Sequence, residues 1–362
     1  MKLIMTILCV VFMQVSGCAS IPENQDQKTE KVIAEANKAV VFIKSAQMES
    51  IDDKGIKKQE RGFGSGFMIR EDGYMLTAWH VIGAPNAEIK ACLQRKTTGR
   101  YGDLEIPDCR SAKIVGFDPQ RDIALLKIQG SRYPTLKLGE DPPVGHQVIA
   151  LGHPMGFLWT ATVGIVSKSP LIQEDEYFTQ TDASIYFGSS GGPLINTQSE
   201  VIGLLDKILV PNSAKAPIGI SLAIPVGDIK ILLPRLLEGG QIKHGSLHVA
   251  FGFINELDFQ EMPADFRIHK ISENVPGMLV VDIDPDGMSA KNGLKKGDVV
   301  IRVNGQMISN LIDATRLIYF QKPGTEVVLE VMRQGERKLF KTQLDQEPEA
   351  DYNVASKSNP KK

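Results

Sequence analysis

Residues 179–194, TQTDASIYFGSSGGPL, set a serine among tightly turning glycines and follow them with a proline-led apolar run. The glycines let the backbone N–H groups of Gly188, Ser189 and Ser190 converge on one point, an oxyanion hole, because a side chain larger than hydrogen would obstruct the approach. Ser190 is then the candidate nucleophile. A hydroxyl is a poor nucleophile at neutral pH, so the fold must bring it a histidine base and a carboxylate that orients the base. His80, in LTAWHVI, and Asp122, in DPQRDIALLKI, supply the two. Asp118 competes for the second role, but it lies beside Pro119 and suits turn initiation, whereas Asp122 abuts an apolar strand and is expected half-buried beside the histidine.

The segments between these residues read as short strands. Apolar runs at residues 39–44, 63–70, 74–82, 87–94, 112–117, 123–128, 146–151 and 160–167 alternate with turn clusters, and 33 glycines in 362 residues supply the turns. Many short strands with frequent turns point to barrels or sandwiches. His80 is expected at a strand end, after a hairpin closed by Glu71, Asp72 and Gly73. Trp79 beside it reads as packing. A second histidine, His153 in GHPMGFLW, has nothing near it to complete another triad and reads as structural. Helices are expected at residues 30–37, 226–238, where Gly239 and Gly240 end the turn, and 311–321. With 41 basic and 43 acidic residues the net charge is -2, which gives no electrostatic case for a nucleic-acid partner.

The N-terminus sets the compartment. Lys2 followed by an apolar stretch too short to span a bilayer comfortably reads as a signal peptide over residues 1–17. Its ending, Val15-Ser16-Gly17-Cys18, resembles the bacterial lipobox. That resemblance implies acylation of Cys18, a lipid anchor in place of a helix, and, with Ala19 next, the outer rather than the inner membrane; ordinary secretory cleavage is the alternative. Residues 18–34 read as a flexible polar tether. Of four cysteines, Cys92 and Cys109 then remain. The TTGRYGD between them looks like a hairpin connection that would face the two across paired strands, as a disulfide or as two ordinary thiols.

The stretches TAWHVI, DIALLKI, LGHPMGFLWTATVGIVS and QTDASIYFGSSGGPL resemble the HtrA (DegP/DegS-like) family of trypsin-like serine proteases, over residues 35–345. The order His, Asp, Ser agrees with chymotrypsin-like proteases. The resemblance implies a mainly β fold, a chymotrypsin-like double β-barrel over residues 35–240 followed by an α+β PDZ domain over residues 245–345, with a disordered tail at 346–362. It also implies a homotrimer, neither cofactor nor metal, and unfolded or C-terminally exposed proteins as substrates. The chain departs from the pattern at Tyr186, Phe187 and Ser189, where the family usually has Asn, Pro and Asn.

In this fold the residue six before the nucleophile, here Ser184, sets the base of the primary pocket. By resemblance Ile185, Ile208 and Ile220 line it, giving an apolar, shallow site for Val or Ala side chains. NGLKKGDVVIRVNG and the AFGF run mark the PDZ domain. There a peptide C-terminus would add as a strand along Ala250, Phe251, Gly252, Phe253 and Ile254, with Ala250 where many relatives have glycine. A protease-shaped scaffold or chaperone with little catalysis is the competing expectation.

Overall fold

The computed structural model describes residues 25–46, 50–51, 57–58, 61–99, 102–173, 176–209, 219–253 and 276–348. The signal stretch, Cys18, Ile254 and the tail from 349 lie outside the described residues.

Helix α1 (Gln25–Asn37) leads into the first barrel: β1 (Val40–Ala46), β2 (Arg61–Met68), β3 (Tyr74–Ala78), β4 (Glu88–Gly99), β5 (Gly102–Asp118) and β6 (Ile123–Ile128). Their order is β5-β4-β1-β2-β3-β6, closed by pairing of β5 with β6. The second barrel uses β7 (Gln147–Gly152), β8 (Thr160–Gln173), β9 (Glu176–Thr181), β10 (Pro193–Ile195), β11 (Glu200–Ile208) and β12 (Ser221–Pro225). It runs β10-β7-β8-β9-β12-β11 and closes by pairing β10 with β11. Closure pairs the terminal strands of each sheet with one another among the described residues. One apolar core joins the barrels, from Ile43, Phe67 and Leu125 to Phe178, Leu204 and Ile224.

Four expectations need correcting. The supposed tether is helical from Gln25, because QDQKTE is made largely of good helix formers even though it lacks an apolar stripe. His80 is not on a strand: β3 ends at Ala78 and a single turn, α2 (Trp79–Ile82), carries the imidazole, stopped by Gly83 in the left-handed region at φ 77°. The hairpin between the cysteines is longer than the expected strands, one continuous ladder from Ile89↔Ala112 to Gly99↔Gly102. Within it Cys92 and Cys109 lie directly opposite and are disulfide-bonded. The described chain also extends past 345, where Asp345 and Gln346 pair with Gly245 and Ser246.

Helix α3 (Val226–Glu238) closes the second barrel and ends at Gly239, as its sequence implies. The third unit is a sheet in the order β13 (Val249–Phe253), β14 (Met278–Ile283), β15 (Val299–Val303), β16 (Glu326–Arg333), β17 (Glu336–Gln343). Its own core holds Leu294, Val300, Leu329 and Val331, capped by the helical stretch α4 (Leu311–Ala314) that continues as a wider turn through Tyr319. The fold is thus mainly β: two closed six-stranded barrels of the chymotrypsin type, then a PDZ-like α+β unit. No described helix is long and apolar enough to cross a membrane.

Candidate active site

Asp122 sits in the turn between β5 and β6 with φ 57°, a left-handed conformation that Asp tolerates better than most residues. The turn is built by Asp118, which is fully buried and accepts the N–H groups of Gln120 and Arg121 at 3.1 Å each. So positioned, Asp122 grips α2 twice. Its Oδ1 accepts the backbone N–H of His80 at 2.7 Å and its Oδ2 lies 2.5 Å from His80 Nδ1. Of the two competing acids, it is Asp122 that meets the histidine, while Asp118 takes the hydrogen bond of His244 at 2.9 Å. Burial alone would lower the His80 pKa, but the charge and hydrogen bond of Asp122, with a contribution from Asp206, raise it above the ordinary value. Trp79 stacks on Phe117 at 4.2 Å, which fixes the turn that carries the imidazole.

Ser190 lies on the turn before β10, on the same cleft. Its hydroxyl donates to the backbone carbonyl of Asp206 at 2.9 Å, and among the described residues no hydrogen bond joins it to His80. The turn needs its glycines: at Gly188, φ 97°, a Cβ would stand 2.5 Å from the His153 carbonyl, and at Gly191, φ 83°, 2.3 Å from the Ser65 carbonyl. The three-donor convergence expected from the sequence is reduced to two. The Ser189 N–H is given to the Tyr186 carbonyl at 2.8 Å, whereas the N–H groups of Gly188 and Ser190 make no hydrogen bond among the described residues. Ser189 Oγ in turn accepts the N–H of Tyr186 at 3.3 Å.

Two participants were not legible as such. Ser65 Oγ donates to the Gly188 carbonyl at 2.7 Å and meets Nδ1 of His153 at 3.0 Å, tying the glycine turn to the first barrel. His153 is therefore structural, as the sequence suggests; it is enclosed beside Phe42 and Trp159, and burial pushes its pKa down to about 3. Asp206 is the other. It falls on β11 where the register against β12 shifts between Leu205 and Lys207, a bulge that turns its buried carboxyl toward Asp122 and His80. Burial, and then the charge of Asp122, push this carboxyl up to about 7. His80, Asp122 and Asp206 bring three ligand atoms within 4.8 Å of one another, a set that could also hold a cation.

The expected pocket residues separate. Ser184 is exposed and its carbonyl accepts from Thr162 at 2.7 Å. Ile185 is buried in the core of the second barrel with Val148, Ala150 and Val166, and Ile208 packs against that cluster. Ile220 packs against the larger core instead. A cavity of about 530 Å³ between α1 and the second barrel, lined by Ile33, Gln147 and Val163, includes none of the triad. Among the described residues β13 of the third unit pairs on one side only, with β14; Ala250 and Phe251 are exposed and Phe253 is in the core.

The profile of a trypsin-like peptidase domain matches residues 64–204, and that of a PDZ domain matches residues 260–344. The chain is 34% identical over 307 residues to the probable periplasmic serine endoprotease DegP-like of Pseudomonas fulva, covering 83% of this chain and 60% of that protein. It is 37% identical over 290 residues to the protein of the same description from Halomonas elongata, covering 79% and 56%. Among solved structures, the HtrA-type protease AlgW with decapeptide superposes with a TM-score of 0.68 at 26% identity, over 89% of this chain and 99% of that one. Fold and site together define a trypsin-like peptidase domain joined to a PDZ domain. The chain is similar to DegP-like serine endoproteases and to HtrA-type proteases. It spans about 60% of the length of these curated relatives.

Proposed function

We propose that the chain is a serine endopeptidase of the bacterial cell envelope that cuts unfolded or C-terminally exposed proteins, with Ser190 as nucleophile, His80 as general base then acid, and Asp122 as its orienter. The observation that carries this is the double hold of Asp122 on His80, which fixes the imidazole with Nδ1 facing the carboxylate and leaves Nε2 for the serine proton. In the reaction the Ser190 hydroxyl leaves the Asp206 carbonyl, gives its proton to Nε2 and attacks a peptide carbonyl. The uncommitted N–H groups of Gly188 and Ser190 then receive the oxyanion, and His80 returns the proton to the leaving amine. Ser184 at the pocket base offers no charge to a Lys or Arg side chain, which favours small apolar residues at the cleavage point. Incubation with unfolded casein tests the reading: wild type cleaves, and Ser190→Ala loses on the order of a million-fold in turnover. Equal cleavage by both proteins would remove the assignment.

One observation favours a second reading, a peptide-binding scaffold with little activity: the Ser190 hydroxyl is held by a carbonyl and not by the base. Control by the PDZ unit reconciles the two. A peptide C-terminus adds as a strand along the open side of β13, its carboxylate held by loop N–H groups beside Ala250. The route inward is polar, half-buried at Arg316 and buried at Asp228 and Arg121. Arg316 of the PDZ unit bonds Asp228 of α3 at 2.9 Å, Asp228 bonds Arg121 at 2.9 Å, and Arg121 directly precedes Asp122. A peptide that prefers the competent arrangement raises turnover of a short substrate by roughly 5 to 150-fold, the usual range of coupling. Unchanged turnover despite measured binding would leave only substrate tethering.

The envelope assignment is supported by the VSGC sequence, the Cys92–Cys109 bond, which suits an oxidising compartment, and relatives described as periplasmic. On this reading a lipid on Cys18 anchors the protein at the outer membrane and three copies associate. Mass spectrometry of the mature N-terminus and light scattering test the two separately.

A further inference from the structure

Asp206 is an ionisable group with no task in the triad, yet the fold spends a β-bulge on placing it. Two of its features converge on the reacting residues. Its backbone carbonyl accepts the Ser190 hydroxyl at 2.9 Å. Its carboxyl lies within 4.8 Å of a carboxylate oxygen of Asp122 and 4.0 Å from His80 Nδ1. Two carboxylates this close repel unless one carries a proton, and burial strengthens that preference while Lys207 and the imidazole oppose it. The charged groups around it are few: His80 on α2, Asp122 on the β5–β6 turn, and Lys207 on its own strand at 3.9 Å, which is drawn away by Glu176 of β9 at 2.8 Å.

We propose that Asp206 is a positioning residue that holds one proton on the Asp122 side of His80 and thereby sets the pH at which His80 becomes a free base. With the proton on, the Asp206 carboxyl donates to Asp122, and a single negative charge faces the imidazole. When the proton leaves, it goes to solvent or to the imidazole; in the second case the two charges pair across the cluster and His80 cannot accept from Ser190. Asp206 and His80 therefore titrate as one unit and not as a histidine beside a constant charge. The bulge ties this to the nucleophile, since the same residue whose carboxyl carries the proton supplies the carbonyl on which the resting hydroxyl is parked.

The proposal rests on the endopeptidase reading for its consequence but not for its test. Two measurements are made on the full-length wild type, Asp206→Asn and Asp206→Thr, all with EDTA present: the ¹⁵N NMR titration of the His80 imidazole, and the pH dependence of Ser190 modification by a fluorophosphonate. Both variants keep a donor for Asp122 and cannot ionise. In the wild type the His80 titration spreads over two steps; in either variant it collapses to one, at a pH lower by about one unit, and the acid limb of fluorophosphonate modification moves with it, a tenfold gain at a fixed pH on the limb. Superposable His80 curves in wild type and a folded variant would overturn the proposal, even if stability changes. A wild-type curve that moves when EDTA is omitted and Zn²⁺ is added at trace level, but matches the variants with EDTA, would overturn it in favour of a cation site. Shifted His80 curves with no fluorophosphonate reaction in any protein would uphold the proton assignment and remove the endopeptidase reading instead.

Discussion

Asp228 and Asp206 are both buried acids in the second half of the peptidase domain, and their surroundings are opposite. Asp228 is fully enclosed and takes Arg121 at 2.9 Å, the Tyr177 hydroxyl at 2.8 Å and Arg316 at 2.9 Å, so two guanidinium groups and a phenol meet one carboxylate. Burial and the Asp228 charge push the Tyr177 hydroxyl far up, which keeps it a donor at every ordinary pH. Asp206 meets another carboxylate and a half-exposed imidazole, with one lysine at the margin. The first environment sets two guanidinium groups against one carboxylate and joins two domains. The second leaves the charge negotiable, which suits the base role proposed for His80 and is of little use for holding a structure together.

The sharpest separation between the two environments comes from removing the orienting acid. Asp122→Asn is expected to lower turnover by about ten-thousand-fold, through the wrong imidazole tautomer, while moving the unfolding midpoint little, since Asn keeps an acceptor for the His80 backbone N–H. Steady-state kinetics and a urea titration on the same preparation check both halves. Next in size, Asp228→Ala strands Arg121 in the interior and should cost about 3–5 kcal/mol of stability, read from the urea midpoint. If Asp228→Ala costs less than Asp122→Asn in stability, the division into holding and working carboxylates is wrong.

The third expectation follows from the sign of the Asp206 shift. Its folded pKa is raised above the unfolded value, so the folded state binds the extra proton between about 4 and about 7, and stability drains away as pH rises through that window. The difference between Asp206→Asn and wild type isolates this from His153, whose depressed pKa acts in the other direction at acid pH. The variant should gain about 1–3 kcal/mol relative to wild type on going from pH 4 to pH 8 and no more above it. A difference independent of pH would break the comparison. The smallest effect belongs to Ser189→Ala, which removes only a 3.3 Å contact to Tyr186: less than about tenfold in turnover.

How much of this was open to reading depends on where the signal lay. Turn chemistry and strand alternation marked the barrels, and the glycines of GSSGG, the apolar strand after Asp122 and the chain order marked the triad, because backbone constraints leave a local trace. Ser65 leaves none, since a serine between glycines in GFGSGF looks like any hairpin residue until the fold carries it to the Gly188 carbonyl. Asp206 did leave one: an acid inside the apolar run VIGLLDKI is costly unless it has a function or a partner, and that clue marks a bulge beside the site. Ile185 shows the converse. Its apolar character suited a pocket wall equally well, but only the packing of the second barrel decides that it belongs to the interior.

The left-handed backbone at Asp122 limits how the chain can drift. A single nucleotide change from an aspartate codon reaches Asn, Gly, Ala, Val, Glu, His or Tyr. Of these, Asn and Gly sit most easily at φ 57°, and neither carries a charge. Lineages that lose the acid by the least disruptive route would therefore keep the fold and lose the proposed chemistry in one step. In a population of descendants, inactive copies with intact architecture should outnumber misfolded ones at this position.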